Sequence, residues 1–270
     1  MGAILVAARA AARHPSRRRS ESARAAVAAV AALAALAAWS WSISALAQAP
    51  AAAPDFSGSW ERYRGPPGDK NNPPPESDPP LRAQLAGEWT ARRDAARAAD
   101  ARGEPIATGY VHCLPDGVPS MMSGPFPLEI VQGRDQMNIA QEAYSQIRRI
   151  YLGKSQVTLR DIELGFYGHS VGKWDGNTLV VDTIGIKDYV RFRDVPHTRA
   201  MRIKERLKLV APDILWDEIT IEDPEVLEKA WTTTFAYRRM PGYEIIEYVC
   251  EDNREYADEN GVTRLRIGRP

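Results

Sequence analysis

The chain has 270 residues, 35 basic and 35 acidic side chains, 44% hydrophobic residues and two cysteines. A nucleic-acid surface is excluded, because neutralising phosphates takes a cationic face and the basic residues here are interspersed with acids. Beyond its amino-terminal leader the chain is long enough for one domain with a sizeable core.

The leader is residues 1–47. Arg9, Arg13, Arg17, Arg18, Arg19 and Arg24 come first, then an alanine-rich apolar run from Ala25 to Ala47 that ends in Ala45-Leu46-Ala47. Basic, apolar and small residues in that order form a secretion signal and predict cleavage before Gln48. An uncleaved anchor is the competing reading, since about 20 apolar residues can span a bilayer. The well-formed A-x-A site favours cleavage, and with it a periplasmic or secreted protein with no membrane attachment. Ser16-Arg17-Arg18 invites a twin-arginine route, but Ser20 and Glu21 stand where its apolar pair belongs. No cysteine sits at the cleavage site to carry a lipid. Cleavage removes six arginines and one glutamate and leaves 29 basic against 34 acidic residues, a net charge of −5. Cys113 and Cys250 are then an even pair in an oxidising compartment, which predicts a disulfide; two buried thiols are the alternative.

Residues 48–54 read as a disordered tail, and Phe56-Ser57-Gly58-Ser59-Trp60 as the opening of a first strand. Gly65–Pro80 (GPPGDKNNPPPESDPP) cannot be regular structure, since proline has no amide to donate, and it reads as a linker. Leu81–Gly103 is a helix: Leu81, Leu85 and Trp89 recur at helical spacing, and Gly103 and Pro105 stop it. The domain proper, 81–270, is this external helix plus antiparallel strands. The strands are expected near Leu128–Val131, Gln136–Gln141, Tyr144–Leu152, His169–Trp174, Thr178–Ile184, Met201–Val210, Ile214–Ile221, Ala230–Arg238 and Tyr243–Cys250. Asp175-Gly176 predicts a type I′ hairpin. Short connections imply an antiparallel meander, closed as a barrel or stacked as a barrel-like sandwich.

Alternation along the strands nominates the polar interior. In Met201–Val210, Arg202, Lys204, Arg206 and Lys208 share one face, while Glu205 shares the other with Met201, Ile203, Leu207 and Leu209. A carboxylate among aliphatic side chains must find a partner or become neutral, so Glu205 is a candidate acid or base, or one half of a structural ion pair. In Tyr243–Cys250 the same pattern makes Glu247 a second inward candidate. In Ile214–Ile221 neither face declares itself. Of the neighbours Arg148 and Arg149, alternation sends one inward, to pair Glu205 or to hold an anionic ligand.

The histidines beyond the leader are His112, His169 and His197. His169 stands in a glycine-flanked run that could open a pocket mouth, and His197 in the long connection 185–199, which could serve as a lid. The catalytic candidates are therefore His169, Glu205 and Glu247. The ligand-holding candidates are Arg148, Arg149, Asp182, His197, Glu218 and Tyr243. No metal-ligand spacing, phosphate loop or nucleophile elbow is present, so no metal and no cofactor are expected.

Several segments together resemble a family of secreted bacterial proteins of unassigned function: Cys113-Leu114-Pro115 with Gly117, Pro119, Met121 and Met122; Phe126–Ile130; Gln146–Tyr151; Gly168–Gly176; Thr178–Thr183; and Glu247–Asn253. The resemblance implies export and paired use of the cysteines, and brings no catalytic residues. Phe56–Trp60 is also similar to the G-x-W opening of lipocalin-like barrels, although a long helix follows it here. A barrel of this size encloses room for one small, largely apolar molecule. Two functions compete: a periplasmic small-molecule carrier, and a cofactor-free lyase, isomerase or hydratase using Glu/His acid-base chemistry. A scaffold, the third class, would have an interior filled by side chains.

Overall fold

A computed structural model describes residues 53–102, 114–188, 190, 192–193, 195–249, 255–257 and 263–265. The leader, His112, Cys113 and Cys250, and with them the expected disulfide, lie outside the described residues. Among those described, nine strands close into one barrel: β1 (Gly58–Arg62), β2 (Leu128–Gln132), β3 (Gln136–Gln141), β4 (Gln146–Leu152), β5 (His169–Asp175), β6 (Thr178–Ile184), β7 (Arg202–Ala211), β8 (Ile214–Glu222) and β9 (Trp231–Arg239). Between β1 and β2 lie helices α1 (Ala83–Ala101) and α2 (Ser120–Ser123). A short hairpin, β10 (Glu255–Ala257) with β11 (Thr263–Leu265), forms a separate sheet. The fold is the expected mainly-β barrel with one long helix outside. No described helix is long and apolar enough to cross a membrane.

An odd number of strands cannot close if every neighbour is antiparallel, because direction reverses at each step around the ring. The mismatch is absorbed between β4 and β5, which pair in parallel (Ile150 with Ser170, Leu152 with Gly172), and every other pair is antiparallel. A parallel pair needs a crossover of roughly a dozen residues or more, and residues 153–168 supply it. The pure meander is corrected on this point. Nine strands with one parallel step also depart from the eight-stranded up-and-down plan of lipocalins.

The closing step accounts for a second correction. β9 pairs with β1 through Trp60–Arg239 and Arg62–Tyr237, so no open edge is left for a further strand. Residues 243–249 are not a strand and run outside the barrel, where the Tyr243 hydroxyl donates to Glu142 (2.6 Å) and Ser145 Oγ to the Tyr248 carbonyl (3.1 Å). Glu247 and Ile246 are exposed. The β5–β6 hairpin also shifts by one residue: Asp175 pairs with Thr178, Gly176 and Asn177 form the turn, and only Gly176 has a positive φ (60°). One left-handed residue, at the first turn position, is the type II′ pattern rather than type I′.

The barrel's two ends differ. One carries the short turns β2–β3, β5–β6 and β7–β8. The other carries the long segments: 63–127, the returning end of the crossover, 185–201 and 223–230. A roof covers that second end: Gly117 N–H donates to Gln146 Oε1 (3.0 Å), Gln141 Nε2 to the Met121 carbonyl (2.6 Å), and the Tyr237 hydroxyl to the Met122 carbonyl. Met121 and Met122 thereby seal the interior from above.

The crossover re-enters β5 through Gly168, whose φ is +58°. A Cβ there would press against the Ile184 carbonyl oxygen and the Ile186 side chain. Gly168→Ala is expected to destabilise the fold by about 2–4 kcal/mol, combining left-handed strain with overpacking; urea unfolding midpoints measure it, and a loss below about 0.5 kcal/mol would contradict the tight re-entry.

Candidate functional site

Inward positions of the strands are filled by large apolar side chains. Trp60, Met137, Ile139, Ile150, Leu179, Val181, Ile203, Leu207, Ile219 and Phe235 are all within 2% of fully buried. The interior is a packed core, not a lumen. Through it runs one polar row. Arg148, on β4, reaches past β5 and β6 to Glu205 on β7, its Nη1 2.7 Å from Glu205 Oε1 and its Nη2 on Oε2. The same Nη2 lies 3.0 Å from Thr183 Oγ1 and 3.2 Å from Ser170 Oγ, and those two hydroxyls bond each other at 2.7 Å. Both charged side chains are 0% exposed. Desolvation, the largest single influence, opposes the guanidinium charge of Arg148, but its neighbours, Glu205 foremost, together outweigh it and raise the arginine above its usual value.

Alternation had put both Glu205 and one arginine of the Arg148/Arg149 pair inside, and the structural ion pair is what they form. A third ionisable side chain joins them. Asp217, on β8, shares the inward face with Leu215, Ile219 and Ile221; it is fully buried, and neither carboxyl oxygen has a hydrogen-bond partner. Burial first, then the neighbouring Glu205, push its carboxyl well above the usual carboxylate range, with Arg148 and Arg62 only partly opposing. The readable signal was the face itself, where one acid alternates with three aliphatic residues. Burial and Asp217 likewise push the Tyr237 hydroxyl upward.

The remaining candidates do not gather around this row. His169 faces outward on β5, stacked on Tyr151 (5.3 Å between ring centres) with Nδ1 2.8 Å from Gln156 Oε1; burial, then the Lys154 ammonium, hold its imidazole below the usual value. His169 and Glu205 thus lie on opposite faces of the barrel wall, and Glu247 is outside on the C-terminal segment, so the expected acid-base set does not converge. Asp182 faces outward and pairs Arg202 (2.5 Å). Arg149 and Glu218 are exposed on the outer face. Lys204 pairs Glu222 (2.7 Å) and Arg206 pairs Asp175 (3.4 Å), so the basic face of β7 is largely neutralised by its neighbours. His197 sits in the 185–201 segment, Nε2 2.7 Å from the Val190 carbonyl and Nδ1 3.0 Å from that of Thr198. Tyr243 is held by Glu142, a bond that raises its hydroxyl.

The long-segment end does form a concavity. A groove of about 590 Å³ runs between the strap Glu76–Leu81, the α1 face carrying Ala86, Trp89, Thr90 and Arg93, and the side chains of Arg193 and Trp231. Proline keeps the strap irregular, as expected, but it is tied down on both sides. Trp216 Nε1 donates to the Asn71 carbonyl (2.9 Å) and Trp231 Nε1 to that of Ser77 (3.0 Å); the Glu228 amide takes the Pro80 carbonyl (2.8 Å), and Leu81 bridges to Leu227. The Leu81/Leu85/Trp89 stripe turns toward the barrel and packs on its core. A volume of this size, lined by charged and polar side chains interspersed with apolar ones, suits a small amphipathic organic molecule. The groove was not legible in the sequence, because its walls come from three segments brought together only by the closed barrel.

No protein-family model matches the chain, and no curated protein matches it.

Removing one partner of the ion pair should cost far more than removing both. Arg148→Met is expected to destabilise by about 3–5 kcal/mol, and adding Glu205→Leu to recover most of that loss; chemical denaturation of both variants measures it, and equal losses would contradict the pairing. Asp217 gives a pH signature. Its carboxyl is held protonated in the fold but ionises near pH 4 in the unfolded chain, so its contribution to stability is fully present below about pH 4 and declines as pH rises through the raised folded value. Asp217→Asn should therefore gain on the unaltered protein as pH increases, by more than ~1 kcal/mol at pH 8. A difference that does not change with pH would contradict a protonated Asp217.

Proposed function

We propose that the chain is an exported β-barrel protein that binds a small, largely apolar molecule in the groove at its long-segment end. The observation that carries the reading is the groove itself: the half-buried Trp89 ring and the prolines of the strap offer apolar surface over the buried Trp231 and Leu81, and Arg93, Arg193, Glu76 and Asp78 supply charge along it. The packed interior leaves no lumen of the kind in which a carrier of lipocalin type would hold its ligand, which supports a ligand bound on the outside of the barrel. Export rests on the leader and on the resemblance to secreted proteins, and in that compartment Cys113 and Cys250 would be joined. The same filled interior also suits a scaffold, which would show no saturable small-molecule site.

The test is a fluorescence titration of the mature protein, residues 48–270, with N-phenyl-1-naphthylamine, an uncharged aromatic probe. Saturable binding is expected with a dissociation constant on the order of 10–100 μM, given the binding energy available per atom to a ligand of this size. Trp89→Ala, on the partly buried wall, should weaken it about fivefold or more. Binding that does not saturate, or that is indifferent to Trp89→Ala in a folded variant, would overturn the assignment.

A further inference from the structure

The charges along the groove carry a sharper statement about its ligand, resting on the reading just given. Arg193 lines the groove and holds Glu76 of the strap by two parallel contacts, Nε to Oε1 at 3.2 Å and Nη2 to Oε2 at 2.9 Å. This fork is how a guanidinium takes any carboxylate. The pair is accessible to water, its side chains 42% and 34% exposed, so it is weak and open to competition. The backbone of Arg193 is left-handed, with φ at 52°, a conformation disfavoured for a residue with a side chain and found where a group is held for a purpose. Its guanidinium also lies 5.4 Å from the centre of the Phe192 ring.

A second guanidinium borders the groove from α1. Arg93 Nε is buried and makes no hydrogen bond; it is ion-paired with the Asp94 carboxylate at 3.6 Å, outside hydrogen-bonding range. The unmet polar capacity buried at the groove is thus a donor. Of the two acids in the lining, Asp78 is exposed to water and Glu76 is engaged by Arg193. An incoming anion could satisfy Arg93 and replace Glu76 on Arg193, whereas a cation would find only the water-exposed Asp78 among the lining acids.

We propose that the groove's ligand is a small organic anion, a carboxylate or sulfonate on an apolar body, and that the Glu76 carboxylate occupies the anion's place on Arg193 until the ligand displaces it. Two probes that share one aromatic body separate this from the broader reading: uncharged N-phenyl-1-naphthylamine and its sulfonate counterpart, 8-anilino-1-naphthalenesulfonate. Both are titrated into the mature protein and into Glu76→Gln, Arg193→Gln and Arg193→Lys. Glu76→Gln is expected to tighten the sulfonate by about three- to fivefold, by removing the competing carboxylate, and to change the neutral probe by less than about twofold. Arg193→Gln should weaken the sulfonate by about tenfold with little effect on the neutral probe, and Arg193→Lys, which keeps the charge but not the fork, should fall between. Circular dichroism establishes that each variant is folded. If the variants shift both probes alike, or Glu76→Gln weakens the sulfonate, the anion assignment is overturned while the groove stands. If neither probe binds the unaltered protein, the groove reading itself has failed.

Discussion

The ion pair between Arg148 and Glu205 is the constraint from which the rest of the barrel can be understood. Its charges lie in a fully buried core, where an unpaired ion would be intolerable, and the arginine crosses two intervening strands to reach its partner. Ser170 and Thr183, one from each of those strands, complete the row. A one-residue slip of β4, β5, β6 or β7 would turn that strand's contribution to the outer face. The row therefore ties the register of four consecutive strands together, including the parallel step between β4 and β5 that an odd-stranded closure requires.

Fixing that register also divides the molecule. The interior is occupied by close-packed side chains, and one end is closed by hairpins with little to offer a ligand. The crossover and the long connections gather at the other end, where Met121 and Met122 seal the core and the strap and α1 lie alongside Trp231. Rigid strands with irregular segments massed at one end are the arrangement in which loops commonly carry binding residues while the core stays structural. On this view the buried Arg148–Glu205 pair holds the fold, and the half-exposed charges outside it are the ones available for recognition.

Alternation made much of the interior readable. Period-two patterning located eight of the nine barrel strands closely, sent Glu205 inward, and narrowed its partner to Arg148 or Arg149. Where it failed, closure was responsible. Tyr243–Cys250 alternates as well as any strand, yet β1 already occupies the far edge of β9, so the segment found no pairing partner and Glu247 stayed in water. Asp217 escaped notice because Trp216 and Thr220 blurred the opposite face of β8, although three aliphatic neighbours marked its own. The parallel step could not be seen locally, since it follows from the parity of the whole ring. The groove is a product of tertiary convergence: a proline-rich stretch that reads as a linker, a helix stripe that reads as core-forming, and a loop arginine with no sequence signal.

If the groove is the binding site, recognition takes place on the outside of a filled barrel. Indole N–H resonances of the 15N-labelled mature protein, followed while N-phenyl-1-naphthylamine is added, test it most directly. Trp231 donates its indole N–H to the strap at the groove, whereas Trp60 donates to the Phe56 carbonyl within the core. The account predicts that the Trp231 and Trp89 resonances move with ligand concentration while Trp60 stays in place. Movement of Trp60 with Trp231 and Trp89 unaffected would contradict it and put the ligand inside the barrel.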